Sequence, residues 1–109
     1  MLTLTEAYNG TGPGFYGLSL SFSGTSEPVM IQAGYTGVSV AIHPDVGQTA
    51  RVEYTLSCRT EIDGGTAKWL TWPAGNVSTS TDDAMLTWAF AVRGVSSGGT
   101  AKLEILATS

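Results

Sequence analysis

Apolar and polar residues alternate one for one along most of this chain, and a period of two belongs to a half-buried strand, not to a helix. Leu18, Leu20 and Phe22 alternate with Ser19, Ser21 and Ser23; Val38, Val40 and Ile42 form a second apolar row; Ala50, Val52, Tyr54 and Leu56 form a third, with Arg51, Glu53 and Thr55 between them. Leu2, Leu4 and Glu6 start a first strand, Val29 to Ile31 reads as a short edge strand, and Ala67 to Trp72 as another. Two more follow: Leu86, Trp88, Phe90 and Val92 alternate, Gly94 to Gly99 turn, and Ala101, Leu103 and Ile105 return as the second arm of a hairpin. On that pairing Arg93 is expected near Lys102 and Glu104 across the hairpin. No stretch carries helical spacing, so no helix is expected.

The strands recur at spacings near ten residues, and Gly-rich and Pro-rich turns punctuate them: Asn9 to Gly14, Gly24 to Pro28, Pro44 to Gly47, Asp63 to Gly65 and Pro73 to Gly75. Seven to eight strands joined this way predict an all-β fold, a two-sheet antiparallel β-sandwich of jelly-roll-like form over residues 1–109 as a single domain; an up-and-down barrel is the alternative. With 109 residues and 42% hydrophobic content, the chain has enough apolar material for a core without staples. Its one cysteine, Cys58, can form no internal disulfide.

Charge narrows the function. Five basic residues against nine acidic ones give a net charge of −4, too little positive charge for the roughly 6–10 phosphate contacts that hold a protein on a duplex. Nucleic acid and anionic membrane are therefore not expected partners. No run approaches the ~20 apolar residues of a membrane span, and the start Met-Leu-Thr-Leu-Thr-Glu lacks the basic and apolar regions of a signal peptide. Synthesis in a cytosol is the expectation.

Catalytic chemistry finds little to use. A Ser-His-Asp or Cys-His arrangement would have to employ His43, the single histidine, which stands before Pro44-Asp45 and reads as a turn residue closing its strand. The letters His-Pro-Asp also occur in J-domain cochaperones, but there they join two helices, whereas here both flanks alternate as strands. Glu53 and Glu104 fall on outward sides of strands, Asp63 lies in a turn, and Asp82-Asp83 in a Ser/Thr-rich loop, so no carboxylate pair is marked as buried. No catalytic, cofactor-binding or metal-ligating residues are assigned, and an enzyme is not expected.

Charged residues make up only 13% of the chain, against about a quarter in an average soluble domain, and 15 Thr and 11 Ser take their place. Outward rows such as Ser19-Ser21-Ser23 and Thr87-Ala89-Ala91 are cheap to desolvate, because a hydroxyl that finds a partner costs little while an unpaired buried ion costs several kcal/mol. Such a surface suits a component of an assembly. Trp69 and Trp72, three residues apart on a strand, must face opposite sides, so one is outward; Trp72 is taken as the anchor. Trp72, Trp69, Tyr16, Tyr35, Pro73 and Asn76, with the loops Asn9 to Gly17 and Pro73 to Asp83, are the interface candidates.

The runs Val38-Ser-Val-Ala-Ile42, Ala50-Arg-Val-Glu-Tyr-Thr-Leu-Ser57, Ala67-Lys-Trp69, Trp72-Pro-Ala-Gly-Asn-Val77, Ala91-Val-Arg93 and Gly99-Thr-Ala-Lys-Leu-Glu-Ile105 resemble small virion structural proteins of tailed bacteriophages, of capsid-decoration or tail-accessory type. The resemblance covers about the last two thirds of the chain and rests on strand and turn patterns. It implies a non-enzymatic part of a virion, made in the bacterial cytoplasm. The expectation is a decoration or cement protein that binds the outer shell as a homo-oligomer, with the major capsid protein or other virion subunits as partners. A tail, adaptor or fibre-base subunit is one alternative. A carbohydrate-binding module using an outward Trp with Tyr16 or Tyr35 on a host glycan is the other.

Overall fold

In a computed structural model the alternating segments are strands, and residues 1–6, 14–31, 34–84 and 89–108 are described. One sheet, A, runs in the order β1 (Leu2–Thr3), β4 (Val29–Met30), β9 (Ala91–Ser96), β6 (Ala50–Thr55), β7 (Trp69–Thr71). The other, B, runs β2 (Thr5–Glu6), β3 (Phe15–Phe22), β10 (Ala101–Thr108), β5 (Gly37–His43), β8 (Thr81–Ala84). Pairing is antiparallel except between β1 and β4. The expected two-sheet sandwich is what the chain forms.

Its core is built by the inward rows of both sheets. Val40, Ile42, Leu103 and Ile105 from sheet B meet Val29, Val52 and Val92 from sheet A, each no more than 3% exposed. At roughly 1.5–3 kcal/mol for each such side chain fully buried, these seven supply a large part of the drive to fold. Leu4 is buried between β1 and β2, so the first strand of the sequence reading is a single extended run that leaves sheet A and enters sheet B.

The connections depart from expectation. β5 and β6 lie in opposite sheets, and so do β9 and β10, so Gly94 to Gly99 is not the turn of a hairpin: Gly94 to Ser96 belong to β9, and residues 97–100 span the sandwich. A hairpin and an arch between sheets demand the same alternation, since in both the inward rows face one core. Arg93 accordingly pairs with Glu53 in sheet A, while Lys102 and Glu104 stand in sheet B opposite His43 and Ala41. Val29–Met30 is not an edge, because β1 lies outside it. Asp82 and Asp83 belong to β8, not to a loop.

A short helix, α1 (Arg59–Gly64), was not expected. Six residues are too few to show a helical period, and local signals hold it: an Arg59–Asp63 pair one turn apart at 3.6 Å, and Gly65 in the left-handed conformation (φ 78°), whose N–H caps the end. Trp88 and the Leu86 end of its expected strand lie outside the described residues; Phe90 precedes β9.

Inside the sandwich, the tip of the Phe22 ring packs against Gly94, and a Cβ at position 94 would come within 3.0 Å of two ring carbons. Phe22 is itself buried, so the ring has nowhere to retreat. Gly94→Ala should cost about 1–3 kcal/mol through overpacking, read as a lower melting temperature. Adding Phe22→Leu should recover part of that loss, a coupling measurable as a double-mutant cycle; additive losses would show that the ring and the glycine do not meet.

Candidate functional site

The outward face of sheet B is made largely of small and hydroxyl side chains, with charges at Lys102, Glu104 and Asp82. Along its middle strand Leu106 stands opposite Gly17 and Ser39, Glu104 opposite Ser19 and Ala41, and Lys102 opposite Ser21 and His43. Leu106 is 48% exposed, a knob between two small neighbours. An open groove of about 660 Å³ follows this face, with Thr5, Ser19, Ser39, Ser80, Asp82 and Leu106 among its lining.

One end of the groove carries a polar chain. His43 Nε2 lies 2.6 Å from Glu104 Oε1, and Nδ1 lies 2.8 Å from Ser80 Oγ. An ionised carboxylate can only accept, so the proton of a neutral ring sits on Nε2 and Ser80 donates to Nδ1. His43 is the last residue of β5, Glu104 lies on β10 and Ser80 just before β8, so the chain of bonds ties three neighbouring segments together. The His43 and Glu104 side chains are 34% and 45% exposed. A serine beside a histidine and a carboxylate resembles a nucleophilic triad in its connectivity, but water-exposed groups stabilise developing charge weakly. The arrangement is better suited to holding the sheet face in register.

The outward face of sheet A carries a second cluster. Glu53 faces outward, as its place in the alternation requires, yet the residue is only 8% exposed. Arg93, directly opposite on β9, donates from Nε and Nη2 to Glu53 Oε1 at 2.8 and 2.7 Å. Arg51, two residues along β6, donates from Nε to Oε2 at 3.0 Å. The Arg93 guanidinium also lies 4.2 Å from the ring centroid of Trp69, a cation–π contact. Burial works to raise the Glu53 pKa, and the hydrogen bonds and charges of Arg93 and Arg51 outweigh it, so the net shift is downward. Beyond Trp69, the Thr55 hydroxyl donates to the Lys68 carbonyl at 2.7 Å and accepts the Ser57 N–H, fastening the β6–β7 connection to this end of the sheet.

The six candidate residues fall in different places. Trp72 is buried at 7% exposure, its backbone N–H donating to Val52, so its ring is unavailable as an outward anchor. Trp69 is the outward member of the pair and is half-buried by Arg93. Tyr16 and Tyr35 pack against the core with ring centroids 5.5 Å apart. Burial, with a smaller contribution from the neighbouring Tyr16, raises the Tyr35 pKa. Pro73 and Asn76 are exposed in the turn that follows Trp72. Of the two candidate loops, residues 9–13 lie outside the described residues, and Thr81 to Asp83 are strand. Among the described residues no three His, Cys, Asp or Glu side chains are grouped to hold a metal ion, and no helix is long and apolar enough to cross a membrane.

No family model, curated protein or solved structure matches this chain. The site therefore stands on its own geometry. Ser80, His43 and Glu104 are brought together across 37 and 61 residues of sequence, and no local pattern marks them. Glu53 was legible in part: opposite charges two apart on a strand, as Arg51 and Glu53 are, share one face. Its burial depends on Arg93 from another strand.

Because the folded state holds Glu53 below its ordinary value, its contribution to stability is complete above the unfolded carboxylate range and is lost as pH falls through the lowered value. Glu53→Gln should cost about 1.5–3 kcal/mol at neutral pH, the range for hydrogen bonds to charged groups. The penalty should shrink in acid. Denaturant melts at pH 7 and pH 3 check this, and an equal penalty at both would contradict it.

Proposed function

We propose that this chain is a non-enzymatic structural subunit of a bacteriophage virion, a decoration protein that binds the outer surface of the assembled shell and stabilises it. The observation that carries the reading is the outward face of sheet B, where exposed Leu106 stands between Gly17 and Ser39, and Ser19 and Ala41 follow on either side of Glu104. Covering the Leu106 end of that face desolvates hydroxyls and apolar surface, so a partner's backbone and hydroxyl groups can replace water there at small cost. A ligand that binds only the assembled shell stabilises it by mass action, and repeated copies on a symmetric surface add avidity. The resemblance of the strand and turn runs to virion proteins points the same way. The glycan reading keeps an outward Trp69, but Arg93 lies over its ring, and Tyr16 and Tyr35 pack against the core.

Purified protein should co-sediment with mature shells of its phage and raise their melting temperature. Ser19→Glu with Ser39→Glu, which places two charges on an exposed face, should weaken that binding at least about tenfold, on the several-kcal/mol cost of desolvating an unpaired ion, while the variant's own melting temperature stays near that of the parent. Binding unchanged by the two charges would remove sheet B from the interface, and location at the tail alone would replace the shell assignment. The non-enzymatic part has its own test: a fluorophosphonate should leave Ser80 unmodified by intact mass. Stoichiometric labelling that disappears in Ser80→Ala would overturn it.

A further inference from the structure

The two outward faces of this slab each expose one ion of a complementary pair, Arg51 on sheet A and Asp82 on sheet B. On sheet A, two arginines share one carboxylate. Arg51 spends only its Nε on Glu53, and among the described residues neither of its Nη groups has a partner. Val95, opposite Arg51 on β9, is half-buried. Glu53 grips Arg51 from one side and leaves the outer fork free, and the side chain is 34% exposed. A fork of two parallel N–H groups matches a carboxylate.

Sheet B holds the complementary group. Asp82 and Asp83 are exposed on β8, an edge strand, and among the described residues neither forms an ion pair. Asp83 accepts the N–H of Ala84, and Asp82, opposite Ala41, shares the outward face with Glu104. Lys102 is two residues along and two strands away, about 12 Å between backbones by strand geometry, and forms no ion pair with Asp82. Arg51 and Asp82 cannot meet within one molecule, because they point away from each other across two sheets about 10 Å apart.

We propose that a second copy of the chain docks its β8 edge on the outward face of sheet A, with Asp82 accepting two hydrogen bonds from the Nη groups of Arg51. Donor and acceptor lie on different faces, so the contact is head-to-tail and each copy offers one of each half. Glu53, Arg93 and Trp69 hold the receiving arginine in place. The inference rests on the reading of the chain as an assembly subunit, and it names one partner in that assembly.

Sedimentation velocity at low ionic strength should show self-association that is lost near 1 M salt, where the screening length falls to about 3 Å. Arg51→Gln and Asp82→Asn should each weaken association at least about tenfold, a loss of roughly 1.4 kcal/mol. An equimolar mixture of the two variants should associate again, because Asp82 of the first still meets Arg51 of the second. Circular dichroism melts confirm that both variants fold. A parent protein that remains monomeric at low salt, a variant that associates as the parent does, or a mixture that stays monomeric would each overturn the contact. Shell binding retained in a monomeric parent would leave the decoration reading standing and remove only this inference.

Discussion

The close approach of the Phe22 ring to Gly94 sets how the two sheets meet, and much of the remaining architecture follows from that spacing. Phe22 ends β3 in sheet B, and Gly94 lies mid-way along β9 in sheet A. Only a residue without a side chain lets the tip of the ring come this close to the opposing backbone. With that gap fixed, Val52 and Val92 reach Ile42, Leu103 and Ile105, and a continuous dry layer closes. The chain repeatedly crosses this layer: among the strand-to-strand connections, only β2–β3 and β6–β7 join neighbours within one sheet. Each crossing makes one sheet's position depend on the other's.

That dependence explains what remains for the outside. Because the inward rows carry the core, the outward rows are free to serve contacts. They are used differently on the two sides. Sheet A concentrates charge in one knot, where buried Glu53 accepts from Arg51 and Arg93 and Trp69 covers the second arginine. Sheet B disperses small hydroxyl and methyl groups around Leu106, with His43 bridging Ser80 and Glu104 at one end. A low overall charge thus coexists with sharply placed ions.

The strands of the core were readable from alternation: β3, β5, β6 and β10 fall where Leu18 to Phe22, Val38 to Ile42, Ala50 to Tyr54 and Ala101 to Ile105 predict. The assignment of strands to sheets was not, because Val38–Ile42 and Ala50–Tyr54 show the same pattern whether they pair or face each other. Helix α1 is too short for periodicity, and the polar run Thr81–Ala84 has no apolar row to betray an edge strand. Trp69 and Trp72 could be placed on opposite sides, but not told apart, since the choice follows from the pairing of Trp69 with Thr55 and the bond from Trp72 to Val52. The outward serines were visible as a row; their juxtaposition with Leu106 and Ser80 required β10 to insert between β3 and β5.

The central claim is that the hydroxyl face of sheet B is the surface this chain gives to its assembly. Electron cryomicroscopy of the particle that carries it tests this most directly. The account predicts continuous density between shell subunits and the face formed by Ser19, Ser39 and Leu106. A map in which the chain sits on the particle with that face open to solvent would contradict it.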